Sequence, residues 1–144
     1  MAEAPREKPS VLSEQQFQEQ LQAEQEQIEE ERKYKIQQPR MRLPREIRRG
    51  EVIRVQVKIR HPSRTGLRLL PDGRFQRSRP AFYLKLVEVF YGETLVSKFE
   101  LNSSTSDDPL LGFHVRADKE APLRVVFTNH RDERAEVAQM VKFS

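Results

Sequence analysis

Glu51-Val52-Ile53-Arg54-Val55-Gln56-Val57-Lys58-Ile59-Arg60 is the stretch that decides the fold. Ile53, Val55, Val57 and Ile59 alternate with Arg54, Gln56, Lys58 and Arg60. Strict period two places one set of side chains on a core and the other in water, which is a half-buried β-strand. Gly50 precedes it as a turn residue.

The same reading extends toward the C-terminus. Phe82 to Tyr91 is apolar on both faces, as a central strand is. Gly92-Glu93 makes a tight turn into Leu95, Ser97, Phe99 and Leu101, which alternate with Val96, Lys98 and Glu100 and close a hairpin. Asn102 to Asp108 is a polar loop ended by Pro109. Leu111–Ala117 and Leu123–Thr128 alternate again, Asn129 to Glu133 is a turn, and Arg134 to Phe143 is a last strand. Short strands separated by turn signals, with no helical periodicity between them, predict an all-β antiparallel sandwich, with barrel closure as the alternative.

One connection is too long for a turn. His61 to Pro80 exceeds the roughly 12–15 residues beyond which loops are usually functional or disordered. Leu67–Leu70 and Phe75–Ser78 flank Pro71-Asp72-Gly73-Arg74, a good turn sequence, so a projecting hairpin is expected. It carries Arg64, Arg68, Arg74, Arg77 and Arg79.

Upstream of Met41 the apolar residues thin out, which predicts an acidic helical extension over residues 1–38 and a β domain over 39–144. Ser13 and Gln16 fit a capping box. Phe17, Leu21 and Ile28 share a helical face, interrupted by Glu24, with further lapses at Glu31 and Lys35. Arg32, Lys33 and Lys35 suit the last turn, before Pro39 and Pro44 stop the helix. Three readings are open for this segment: a partner-binding or coiled-coil helix, a solvated and only partly ordered Glu/Gln-rich tail, or an acidic helix lying across the basic stretch of its own chain or of its partner.

Charge is unevenly distributed along the chain. The 144 residues carry a net charge of +4. From Ser13 to Glu31 there are seven Glu and no basic residue. From Arg32 to Arg79, sixteen Arg or Lys stand against Glu46, Glu51 and Asp72, a net of +13. Such a stretch attracts an acidic protein, an anion or a nucleic acid. A basic β-domain binding single-stranded nucleic acid is the alternative function, but only Phe75 is interleaved with the arginines and no RNP-type motif is present.

Enzyme chemistry has no constellation here. No cysteine is present, which excludes a thiolate metal site, a disulfide and a thiol nucleophile. His61, His114 and His130 are far apart, with no metal-ligand spacing, and read as ordinary surface or loop histidines. His61 and Ser63 lack a nucleophile elbow and a third member. Asp107-Asp108 reads as the start of a turn that Pro109 completes, and no phosphate-binding glycine loop occurs. No cofactor and no metal are expected. No apolar run reaches the roughly 20 residues that cross a membrane. The N-terminal ten residues hold no signal-peptide apolar region.

His61-Pro62-Ser63-Arg64-Thr65-Gly66-Leu67-Arg68 resembles the His-Pro-x-x-Thr-Gly-Leu-Arg signature of SoxZ, the smaller subunit of the SoxYZ sulfur-carrier complex. Met41-Arg42-Leu43-Pro44 with Arg49–Ile53 resembles the family's opening strand. Asp72-Gly73 is similar to its hairpin tip, Tyr91-Gly92 to its glycine turn, and Asp108–Phe113 to its Asn-Pro-Tyr-Leu-x-Phe. The resemblance implies an immunoglobulin-like sandwich. It implies a non-catalytic subunit that pairs with a SoxY-like partner, whose C-terminal Gly-Gly-Cys-Gly-Gly arm carries sulfur intermediates in thiosulfate oxidation. It also implies a periplasmic location reached by co-export with that partner, and transient docking to sulfur-oxidation enzymes. The partner-binding residues expected on this basis are His61, Pro62, Arg64, Gly66, Leu67, Arg68, Asp107, Asp108 and Pro109.

Overall fold

The computed structural model describes residues 12–144. They divide into two compact units: the described residues up to Tyr34 with Gly66–Pro80, and Lys35–Thr65 with Ala81–Ser144.

The second unit is an immunoglobulin-like sandwich. Its smaller sheet has the order β1-β2-β7, with β1 at Arg40–Arg42, β2 at Val52–Lys58 and β7 at Leu110–Arg116. Its larger sheet has the order β6-β5-β8-β9, with β5 at Leu84–Tyr91, β6 at Thr94–Glu100, β8 at Ala121–Asn129 and β9 at Arg134–Val141. Every pairing is antiparallel. The two sheets share no ladder, so the molecule is a sandwich and not a closed barrel.

The alternation of β2 does what period two requires. Ile53, Val55 and Val57 are buried, and Arg54 and Lys58 are exposed. From the other sheet Leu84, Val87, Val89, Leu123, Val125 and Phe127 close the core. Phe99 of β6 and Phe113 of β7 meet at 6.2 Å between ring centroids. The β8 strand lies between β5 and β9, and it is buried over most of its length on both faces. Gln139 of β9 donates its side-chain N–H to the Met41 carbonyl of β1 at 2.7 Å, tying the two sheets along one side. The short β1, held between Pro39 and Pro44, has too few residues for a period to register in the sequence.

The first unit combines one helix with one hairpin. Helix α1 spans Glu14–Lys33 and begins with the expected capping box: Gln16 donates its backbone N–H to Ser13 Oγ, and Ser13 donates its own to Gln16 Oε1. Arg32 and Lys33 occupy the last turn, but Lys35 falls outside it, because Tyr34 caps the helix in an extended conformation. The hairpin strands are β3 (Leu67–Leu69) and β4 (Phe75–Arg77).

Charge pairing is what groups hairpin with helix. Arg68 grips the Glu24 carboxylate with two nitrogens, at 2.9 and 3.0 Å. Arg79 binds Glu31 at 2.6 Å and the Gln27 amide oxygen at 2.8 Å. Gln20 donates to the Leu69 carbonyl at 2.9 Å. Glu24 and Glu31 are the residues that interrupt the apolar stripe, and they are its ion-pairing positions. Of the three readings of the extension, the acidic helix set against basic residues of its own chain is the one the structure shows. The hairpin residues Gly66–Pro80 group with this helix. Gly66 closes the hairpin base with φ +75°, and a Cβ there would stand 2.2 Å from the Arg79 carbonyl oxygen. Only glycine fits that approach.

The Arg68 hydrogen bonds hold the Glu24 carboxyl below its ordinary 4.5, against the upward push of partial burial. A carboxylate with a depressed folded value stabilises fully above 4.5, and that stabilisation is lost as pH falls through the depressed value. The Glu24→Gln substitution should weaken the helix–hairpin unit by about 1–2 kcal/mol at neutral pH. Amide-exchange protection in α1, relative to the intrinsic rate at each pH, should fall in this variant at pH 7, and in the unaltered protein only in acid.

Candidate functional site

Six of the nine residues singled out by sequence collect around one pair of loops in the sandwich unit. After β2 the chain leaves the sheet at His61, and before β7 it returns through Asp107-Asp108-Pro109. Both loops carry backbone groups that no ladder satisfies, so side chains and backbone must satisfy them. The His61 N–H donates to Asp108 Oδ1 and the Asp108 N–H donates to the His61 carbonyl, each at 2.9 Å. The Ser63 N–H donates to Asp107 Oδ1 at 2.7 Å. Arg64 Nη1 lies 2.9 and 3.0 Å from the two Asp107 oxygens. Asp108 sits in the left-handed region, φ +49°, which a short polar side chain tolerates better than most. The expected turn therefore exists, and its carboxylates serve as backbone staples. Pro109 is buried behind it.

Arg64 also exchanges backbone hydrogen bonds with Phe82, at 2.7 and 2.9 Å. That places Phe82 against His61. Their rings stack with centroids 5.3 Å apart and planes 20° from parallel. His130 closes on Phe82 at 4.4 Å, and the Arg131 guanidinium lies over the Phe82 ring at 4.7 Å. His61 is fully buried. Its Nδ1 donates to the Pro62 carbonyl at 2.8 Å, so the neutral ring carries its proton there. His61 is thus a buried ring and not the surface or loop histidine its sequence context suggests, because its loop folds inward over Phe82. His130 is half-buried in its turn, and His114 is exposed on β7 as expected.

Two electrostatic consequences follow. Partial burial pushes the Asp107 carboxyl up, but the Ser63 N–H and the Arg64 guanidinium outweigh it and hold it below its ordinary 3.8. Burial pushes the His61 imidazole below its ordinary 6.5; the Pro62 carbonyl pulls it back up and His130 pushes it further down.

His61, Pro62, Arg64, Asp107, Asp108 and Pro109 come together. Gly66, Leu67 and Arg68 belong to the helix–hairpin unit, where Arg68 is engaged by Glu24. Sequence reading passed over Phe82, whose ring organises the cluster, and Asn129. The Asn129 side chain is buried, accepts the N–H groups of Arg131 and Glu133 and donates to Glu133, which sets the turn carrying His130. A strand-end aromatic and a turn asparagine look ordinary in one sequence. Only the contact between distant loops distinguishes them.

A buried histidine with a depressed value leaves the unfolded chain binding more protons. The stability it allows is complete above 6.5 and falls as pH drops below that value. The thermal midpoint should therefore decline from pH 7 to pH 5. His61→Phe, which keeps the stack on Phe82 and removes the proton site, should flatten the decline.

A family model described as "Sulphur oxidation protein SoxZ" matches residues 41–139. No curated protein matches the chain. Among solved structures, the chain is similar to a superoxide reductase (neelaredoxin) from Ignicoccus hospitalis at 12% identity and TM-score 0.58, over 76% of this chain and 82% of that one. It is similar to a putative superoxide reductase from Thermotoga maritima at 12% identity and TM-score 0.54, over 74% and 85%. It is also similar to the sulfur carrier protein SoxY from Chlorobium limicola f thiosulfatophilum at 15% identity and TM-score 0.51, over 72% and 73%. These likenesses are of fold. Among the described residues, no group of three or more His, Cys, Asp or Glu is placed to hold a metal ion. The family match spans both sheets and takes in the stapled loops at 61–65 and 107–109, and the chain belongs to the SoxZ family of sulfur oxidation proteins.

Proposed function

We propose that this chain is the non-catalytic subunit of a sulfur-carrier heterodimer in thiosulfate oxidation. One observation carries the reading: a member of a sulfur oxidation family has no cysteine anywhere in its sequence. Sulfur intermediates held covalently need a thiolate, and here the thiolate must come from another polypeptide. A SoxY-like partner with a C-terminal Gly-Gly-Cys-Gly-Gly arm supplies it in this reading. The sandwich over residues 39–144 then provides a rigid surface on which that partner docks, and residues 1–38 are an appended extension. The pair works in the periplasm, reached by co-export, and other sulfur-oxidation enzymes dock on it transiently.

The stapled loops are the proposed contact. Pro62, Ser63 and Arg64 are half-buried and Asp107 is exposed, so their outer atoms are available to a partner. His61 and Pro109 act from beneath, holding the loops in shape. A surface fixed by reciprocal hydrogen bonds loses little freedom on binding, which favours affinity. Gly66, Leu67 and Arg68, in the helix–hairpin unit, are proposed as partner contacts of that unit.

The test is co-expression with the SoxY-like protein from the same source. A one-to-one complex by size-exclusion chromatography with light scattering is expected, with sulfur recovered on the partner's arm cysteine and no thiosulfate turnover by this chain alone. Replacing Arg64 and Asp107 together by Ala should weaken the complex about tenfold or more, as loss of a central polar contact does. Absence of a complex, or turnover by the isolated chain, would remove the reading.

A further inference from the structure

The outer face of the smaller sheet carries more uncompensated positive charge than the hairpin does. Its cross-strand rows read Arg40–Lys58–Leu110, Arg42–Gln56–Gly112, Arg54–His114 and Val52–Arg116. Among the described residues, no Asp or Glu stands in these rows. All of these side chains are exposed except Gln56, which is half-buried. Among the described residues, Arg40, Arg42, Arg54, Lys58 and Arg116 form no ion pair. At one corner Gln37, Gln38, Arg40, Lys58 and Arg60 line a recess of about 280 Å³.

The contrast with the other arginines is direct. Arg68 and Arg79 are held by helix glutamates, Arg74 by Asp72 and Arg64 by Asp107. The sheet face has no such internal partner. Arg40 stands directly opposite Lys58, and like charges at paired positions destabilise a ladder. The face therefore does nothing for its own sheet that neutral residues would not do better.

We infer that this face docks an acidic surface of another folded protein. Strand spacing sets its cations about 5 Å apart across the sheet and about 7 Å apart along it, a flat grid suited to carboxylates on a second protein. Four of the five are arginines, whose planar forks bind carboxylates in pairs. Val52 and Leu110, 51% and 60% exposed, stand on the same face and add the apolar contact that protein interfaces use. No Phe, Tyr or Trp ring, on which the bases of a single-stranded nucleic acid would stack, stands in these rows, and His114 is their one aromatic side chain. This inference adds a docking face to the non-catalytic reading above and does not need the SoxY-like subunit to be its occupant.

The test uses the full chain and fluorescent poly-L-glutamate, with an oligothymidylate as the competing class. Poly-L-glutamate binding is expected to weaken about tenfold or more from low to physiological salt. It should be lost in Arg42→Glu/Arg54→Glu and reduced in Arg42→Gln/Arg54→Gln, at an unchanged thermal midpoint. Arg74→Glu, on the hairpin, should bind as the unaltered protein does. Tighter binding of oligothymidylate than of poly-L-glutamate would overturn the inference in favour of a nucleic acid. Binding that survives both double substitutions, or no binding by the unaltered chain, would overturn it outright. The two readings fail separately: no SoxY complex with the unaltered chain removes the carrier reading and leaves this one standing.

Discussion

A sandwich of two small sheets has one interior and two outer faces, and only the interior is needed for folding. That division governs this molecule. Ile53, Val55 and Val57 from one sheet and Leu123, Val125 and Phe127 from the other use the inward positions. At roughly 25 cal/mol for each Å² of apolar surface buried, this packing is the main term holding the unit together. The outward positions of β1, β2 and β7 are released from that duty, so their composition reflects something other than stability. They are dominated by arginine.

Charge compensation within the chain is uneven. The helix–hairpin unit neutralises itself, its glutamates meeting Arg68 and Arg79 at side chains that are all less than a third exposed. Pairs this sheltered are less screened by salt than surface pairs, and their geometry is fixed by two-pronged contacts. The stapled loops are neutralised too, Asp107 against Arg64. Of the hairpin arginines only Arg77 forms no ion pair among the described residues, whereas five cations on the outer face of the smaller sheet form none.

Much of the architecture was legible because a half-buried antiparallel strand writes its two faces directly into the sequence. Strands β2, β6, β7 and β8 match the segments that alternation marks, β5 matches the run that is apolar on both faces and β9 the segment after the last turn, with ends differing by a residue or two. The hairpin was legible from Pro71-Asp72-Gly73, and the helix start from Ser13 and Gln16. The grouping of hairpin with helix was visible only as charge, since nothing in one dimension says which arginine meets which glutamate. The burial of His61 was not legible at all. It depends on Phe82 being brought across by a bridge to Arg64, a contact between loops far apart in sequence. The basic face was equally hidden, because its rows form only when β1 and β7 take their places on either side of β2.

The position of β8 has a bearing on how the protein comes into being. It is one of the two inner strands of the larger sheet and belongs to the last quarter of the chain. While the polypeptide is being synthesised, β2 waits for β7, and β5 has only β6 beside it until residues 121–129 emerge. Apolar strands made early thus stay without their cover for most of translation, in a topology dominated by long-range pairings, which are slow to form. The larger sheet cannot be completed until residues 121–129 are available, and any factor that must hold the sandwich strands in an extended state has that interval in which to act.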